Sequence, residues 1–473
     1  MSRERRQGLL PFEFTPDEDD AVTSWSGLTL LVDLMRQLGL PEHARSLALR
    51  ERASGHDEFQ LLTAFVLLFA AGGDCMDDIR PLREDKALGR LLGHGLPSPD
   101  VLRRTLERFH DEEALAKRSA SGAWIAPETE RLGALGRLHA VLAEAYAAHA
   151  KVGAKTATID IDATIIESTK REALAHYKGG RGYQPVAALW AEAGVVLADQ
   201  FRDGNVPAGM GNAGVVEAAL AAVPTSVERV LLRADSALYE QKVLRILSAR
   251  GVGFAVSADM SPELRAACVA LPDKAWSVFE RRSDLVVQLA EVEFTPDDAW
   301  PKDAAPLRYL ALRFEQAQGR LFADGSDVKY FAVVTNRDGN AGELVRWHRQ
   351  KAGTIEHLHD VTKNELGAGT LPSAKLGANA AWYRLNLLTF SVLSLLKRLA
   401  LDDELKDARP KRLRLHVFAA PARVVSHARG LFARVRSWAY VRLERARAYL
   451  ADLSALRVRL PAARVGQAGA VVP

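Results

Sequence analysis

Cysteine is nearly absent: the 473 residues contain two, Cys75 and Cys268. They lie far apart without metal-ligand spacing, which excludes zinc fingers and disulfide scaffolds and suits a reducing compartment. Long apolar runs are missing too. The longest, residues 61–71 and 385–396, fall short of the roughly 20 residues that span a bilayer, and Asn386 interrupts the second. Residues 1–20 mix Arg3, Arg5 and Arg6 with Glu18, Asp19 and Asp20 and lack the apolar centre of a signal peptide. A cytoplasmic protein without a membrane partner is expected. An excess of one charge is also lacking, because 63 Lys and Arg stand against 59 Asp and Glu, a formal net charge of +4. Bulk charge is therefore a weak argument for a polyanionic partner. Hydrophobic residues at 48% and charged residues at 26% give a globular balance, and the length calls for roughly two to four domains.

The distribution of charge says more than its sum. From 411 to 459, Lys411, Arg412, Arg414, Arg423, Arg429, Arg434, Arg436, Arg442, Arg445, Arg447, Arg457 and Arg459 face only Glu444 and Asp452. This stretch is expected to form a basic helical tail over residues 401–473, binding DNA through phosphates. Residues 24–150 carry apolar positions at helical spacing between Gly, Pro and Asp breaks, predicting a helical domain over residues 1–150. Ser98 and Pro99 read as the cap and first position of one helix, whose Arg103, Arg104 and Arg108 suit a phosphate backbone. An exposed face of a helical bundle is the competing reading.

The period changes after Ala154. Residues 156–166 alternate polar and apolar side chains and are rich in Thr and Ile, a strand signal. Further strands are expected at 186–190, 195–201, 230–233 and 252–256, with helices around 215–222 and 237–250. Three strands, a helix, a strand, a helix and a strand is the order of a ribonuclease-H-like sheet. The expected fold class is thus α/β: a ribonuclease-H-like domain in two parts, 151–260 and 336–400, split by a β-rich insertion at 261–335. Helical pattern returns at 341–366 and 379–399. Trp276 and Trp300 in the insertion offer flat faces for an unpaired base, with core packing as the alternative.

Alternation puts Asp160 and Asp162 of Thr158-Ile159-Asp160-Ile161-Asp162-Ala163-Thr164 on one strand face, where two anions repel unless a cation neutralises them. Asp235 ends the apolar strand Val230-Leu231-Leu232-Arg233-Ala234, at the sheet end where ligands collect; an ordinary helix cap is its bland reading. On a helix, Glu356, His359, Asp360 and Lys363 share one face, offering a carboxylate for a hard cation and an ammonium for a phosphate. Oxygen ligands of this kind select magnesium or manganese. Tyr177, Lys178, Arg181 and Tyr183 lie in a glycine-rich turn that suits backbone phosphates, against the alternative of a solvated hairpin.

At these residues the chain resembles the DDE-type transposases of bacterial insertion sequences, and the thirteen-eighty family among them. The motifs are residues 158–164, His176-Tyr177-Lys178-Gly179-Gly180-Arg181-Gly182-Tyr183-Gln184-Pro185, Leu232-Arg233-Ala234-Asp235-Ser236 and Ala352-Gly353-Thr354-Ile355-Glu356, in that order. The resemblance implies that Asp162, Asp235 and Glu356 are catalytic and hold two Mg2+ or Mn2+ ions, with Asp160 an auxiliary or rival for the first place and Lys363 and His359 in support. The broader group's tyrosine and arginine before the glutamate are Arg349 and Ala352 in this chain, which leaves Arg349 or Lys351 to supply the phosphate contact. A nucleoid-associated homodimer on double-stranded DNA is implied, cleaving at terminal inverted repeats and joining the 3′-hydroxyl ends to target DNA. A nuclease of the same fold without strand transfer, and a non-catalytic DNA-binding protein, are the alternatives.

Overall fold

The computed structural model describes residues 19–50, 55–118, 122–150, 154–295, 300, 306–316, 321–322 and 325–455. Arg3, Arg5, Arg6, Glu18, Arg457 and Arg459 lie outside these residues. The middle of the chain builds a nine-stranded mixed sheet from β1 (Thr156–Ala163), β2 (Val186–Trp190), β3 (Val195–Gln200), β4 (Arg229–Ala234), β5 (Gly253–Ala258), β6 (Ser277–Arg281), β7 (Leu285–Val292), β8 (Arg308–Gln316) and β9 (Val328–Thr335). Their spatial order is β6-β7-β8-β9-β5-β4-β1-β2-β3. β1 runs parallel to β4 and antiparallel to β2, and β4 runs parallel to β5. Parallel neighbours need crossovers, which α5 (Asn212–Ala221) and α6 (Gln241–Ala249) provide.

Residues 261–335 do form the expected strands, but not as a separate sheet. β9 pairs antiparallel with β5, and β8, β7 and β6 continue outward from it. The strands therefore widen the central sheet, covering the open backbone edge that β5 would otherwise present. A helix, Pro262–Val269, precedes them.

The amino-terminal helices include α1 (Thr29–Gln37), α2 (Glu58–Ala71), α3 (Pro99–Glu107) and α4 (Glu130–His149). Ser98 accepts from the Val101 amide and Pro99 opens α3, as its sequence indicates. Asp57 and Gln60 cap α2 reciprocally, and Gly72 ends it with a φ of 99°, a left-handed conformation that glycine takes without strain. After α7 (Ala341–Arg349) and α8 (Ile355–Glu365) comes α9 (Leu376–Leu399), buried along almost its whole length. It packs against α1 to α4 and against β3, so helices and sheet share one apolar core.

The carboxy-terminal segment is not the uniform helical tail expected. β10 (Ala422–His427) and β11 (Gly430–Val435) form a hairpin, and β10 pairs with a strand at Val22–Thr23. Alternation explains it, since Ala422 and Val424 are buried while Arg423 is exposed. The two turn residues Ala428 and Arg429 both take positive φ, 47° and 65°, whose twist matches that of a tight hairpin. α10 (Ser437–Ala455) follows and packs on α1. Among the described residues, no single helix is long and apolar enough to cross a membrane.

Candidate active site

Ile161 lies opposite Ala234 where β1 and β4 pair, so Asp162 and Asp235, the next residue of each, stand side by side at the carboxyl ends of two parallel strands. Asp162 accepts the Ala163 amide at 2.9 Å and Asp235 accepts the Ala237 amide at 3.1 Å. Asp235 thus does cap the turn that follows it, with one oxygen only. Glu356 is exposed in the first turn of α8. Burial, foremost, and the charge of Asp235 push the Asp162 carboxyl up to about 6; Lys351 and the Ala163 amide oppose this and Glu356 adds to it. The charges of Asp235, Lys351 and Glu356 thus all act on Asp162.

Asp160 takes another path. It is fully buried and bound by Arg233, directly opposite on β4, through Nε to Oδ1 at 2.7 Å and Nη2 to Oδ2 at 2.8 Å. The Thr354 hydroxyl donates to the same carboxylate. Arg233 also donates to the Trp347 carbonyl at 2.8 Å and to Gln350 at 3.3 Å. Asp160 is thus a buried, ion-paired carboxylate tied through Arg233 and Thr354 to the segment that carries Lys351 and Glu356. That segment corrects an expectation, because the helical pattern at 341–366 is broken by a 3-10 turn at Gln350–Gly353 and by Thr354.

Beside Asp162 and Asp235 opens a cleft of about 530 Å³, lined also by Thr164, Glu167, His176, Tyr177, Lys178, Gln184 and Lys363. The helical face expected in α8 divides. Lys363 reaches the cleft and donates to the Ile165 carbonyl at 3.3 Å, whereas Asp360 pairs with Arg409 at 2.6 Å. His359 is buried, and its pKa is lowered to about 4 by burial and then by Lys363, with the Asp162 backbone pulling the other way. It is a neutral core residue.

Tyr177 is 74% exposed on the rim, with the Lys178 ammonium 5.8 Å from its ring centre. Arg181 binds the Ala173 and Arg171 carbonyls at 2.9 and 2.6 Å, bracing its own loop. Tyr183, expected at a DNA surface, is instead buried against Phe201 at 5.0 Å, because the short strand Arg181–Tyr183 turns it inward. Arg349 is held by Glu280 at 2.9 Å and stacks on Phe279, leaving Lys351 as the cation beside the carboxylates. Arg103 and Arg104 are exposed on α3 and bonded to Asp100, through its carboxylate and its carbonyl respectively. Trp276 and Trp300 are buried, Trp276 under Arg313, so neither offers a free stacking face. Sequence reasoning missed Arg233, Thr354 and His348. His348 donates from Nε2 to the Ala234 carbonyl at 2.9 Å, next to Asp235, and burial lowers its pKa to about 4. For Arg233 the available signal was an arginine inside an apolar strand.

The family model described as transposase DDE domain group 1 matches residues 18–457. The chain belongs to this transposase family. No curated protein matches the transposase. Among solved structures it is similar to piggyBac transposase, seen by cryo-EM in a synaptic complex with hairpin DNA, at 11% identity and a TM-score of 0.39 over 93% of this chain and 83% of that one.

The donor set of this transposase fits a hard divalent cation. Burial, foremost, and then the charges of Asp235 and Glu356 raise Asp162 to about 6 against Lys351, and a cation would relieve both the desolvation and the repulsion. Among the described residues the tight acidic group lies elsewhere, at Asp74, Cys75 and Asp78, where Asp78 accepts the Asp74 and Cys75 amides.

Proposed function

We propose that this transposase cleaves DNA at the terminal inverted repeats of its element and joins the freed 3′-hydroxyl ends to target DNA. The observation that carries the proposal is the side-by-side placement of Asp162 and Asp235 at the carboxyl ends of β1 and β4 beside an open cleft, with the charge of Glu356 acting on Asp162. These residues would hold two magnesium or manganese ions. When bound, such ions activate an attacking oxygen and stabilise the leaving oxygen of an in-line phosphoryl displacement. Lys351 and Lys363 supply positive charge for the phosphate, and Tyr177 and Lys178 on the rim guide the backbone into the cleft. Arg103 and Arg104 extend that contact along α3.

The order β3-β2-β1-β4-β5, with β2 antiparallel to its neighbours, supports a ribonuclease-H-like core. The four ordered motifs support the thirteen-eighty family. A pair of chains handles the two ends together, so the working form is a homodimer on DNA. Such a substrate places the enzyme in the cytoplasm at the nucleoid.

Asp162→Asn, Asp235→Asn and Glu356→Gln each keep shape and remove a metal-holding charge. Each is expected to lower cleavage of a labelled transposon end by about 10²–10³-fold or more, while gel-shift binding in calcium persists or rises slightly. Wild-type cleavage by one variant removes that residue from the site. Three variants that all cleave as wild type does remove the site altogether, whereas a wild-type chain that binds and does not cleave is a DNA-binding protein without catalysis. Cleavage without joining in a strand-transfer assay assigns a nuclease.

A further inference from the structure

The carboxy-terminal hairpin presents a surface that the acidic cluster does not use. β10 is covered on one edge by Val22–Thr23 and on the other by β11, which leaves β11 as an edge strand. Edge strands are usually blunted or covered. In β11, Leu431, Phe432, Ala433 and Arg434 are all exposed. Register puts Arg434 opposite Arg423, with Phe432 on the same face, and like charges directly opposed across strands repel. Asp19 relieves Arg423 at 2.7 Å, and Asp402 and Asp33 engage Arg445 and Arg447 on α10. Among the described residues, Arg429, Arg434 and Arg436 have no carboxylate partner. Residues 422–436 contain no acidic side chain at all.

We propose that the β10–β11 ribbon is a wing that lies on duplex DNA, with Arg434 and Arg436 on phosphates and Arg429 leading the turn into a groove. The proposal rests on the DNA-handling function above and assigns it a surface remote from the carboxylates in sequence. A two-stranded ribbon has the width that the major groove admits, and guanidinium groups match phosphate oxygens. Charge selects this occupant over a second copy of the chain, because two copies would bring two sets of uncompensated arginines together.

The test replaces Arg429, Arg434 and Arg436 together by alanine in the full chain, with thermal melting as the folding control. Binding of a labelled duplex of arbitrary sequence is followed across salt concentrations in calcium. The triple variant is expected to lose about tenfold or more in affinity and to flatten the dependence of log K on log salt by about 2 to 3. Lysine at all three positions restores the slope, since each phosphate contact needs a charge. The single change Arg434→Glu gives an independent reading with one substitution, and it weakens binding more than Arg434→Ala. Unchanged affinity and slope in a normally melting triple variant overturn the wing and leave the DNA function standing. A wild-type chain that fails to bind duplex removes both. A loss of self-association at unchanged DNA affinity assigns the ribbon to a second copy and overturns the proposal.

Discussion

Asp160 and Asp162 stand two positions apart on one strand face, and their neighbours give them different tasks. The buried Arg233 neutralises Asp160 and leaves Asp162 to the cleft. Asp160→Asn therefore strands a buried guanidinium and is expected to cost about 3–5 kcal/mol of stability, read from urea unfolding; an unchanged midpoint would show that the pair holds nothing. Alternation made both aspartates legible in the sequence. The choice between them was not, because it depends on an arginine from another strand, 73 positions away, and on a parallel register that no local pattern states. The buried histidines give a second test. His348 and His359 fall to about 4 from an ordinary 6.5, so acid protonates the unfolded chain first. Their contribution is full above about 6.5 and declines as pH falls toward 4. Asp162 acts in the opposite sense: raised from 3.8 to about 6, its contribution is present below the lower value and lost as pH rises through the upper one. Two histidines outweigh one aspartate, so acidification from 6.5 to 4 destabilises the metal-free protein. Asp162→Asn is expected to steepen that slope by about one proton, and urea midpoints at a series of pH values measure it.

Elements were read best where the signal is local. β2 occupies residues 186–190 as its apolar run predicts, and α3 starts at the Ser98 cap. Sheet membership was not legible: the strands of 277–335 were visible as runs, but their continuation of the central sheet is a pairing of β9 with the distant β5. The break before α8 was hidden for a similar reason, since Thr354 and Gln350 bind the Asp160–Arg233 pair on the sheet. α9 is the element on which both halves depend. Leu388 is fully buried in it, and Leu388→Ala is expected to cost about 2–5 kcal/mol. Because α9 contacts α1 to α4 and β3, fluorescence and circular dichroism should report one shifted transition. Two separate transitions, with only one displaced, would show that helices and sheet unfold independently.

At the scale of the whole molecule, the chain closes on itself. Val22–Thr23 pairs with Arg423 and Ala422, and α10 covers α1. Deleting everything after Ala420 is therefore expected to lower the melting temperature and to expose the α1 face, seen as increased dye binding. A truncated chain that melts as the full one does would show that the closure is ornamental. The same closure makes the three arginine substitutions the cleaner probe of DNA contact, since truncation removes part of the fold along with the charge. It also has a consequence for synthesis. A ribosome adding about 5–20 residues per second makes Val22–Thr23 roughly 20 to 80 s before its partner strand, and Asp162 and Asp235 well before Glu356. A half-translated chain thus carries two carboxylates without the third and an amino-terminal edge without its cover. On the proposed function, a chain released before Glu356 would lack the third carboxylate and would not cut.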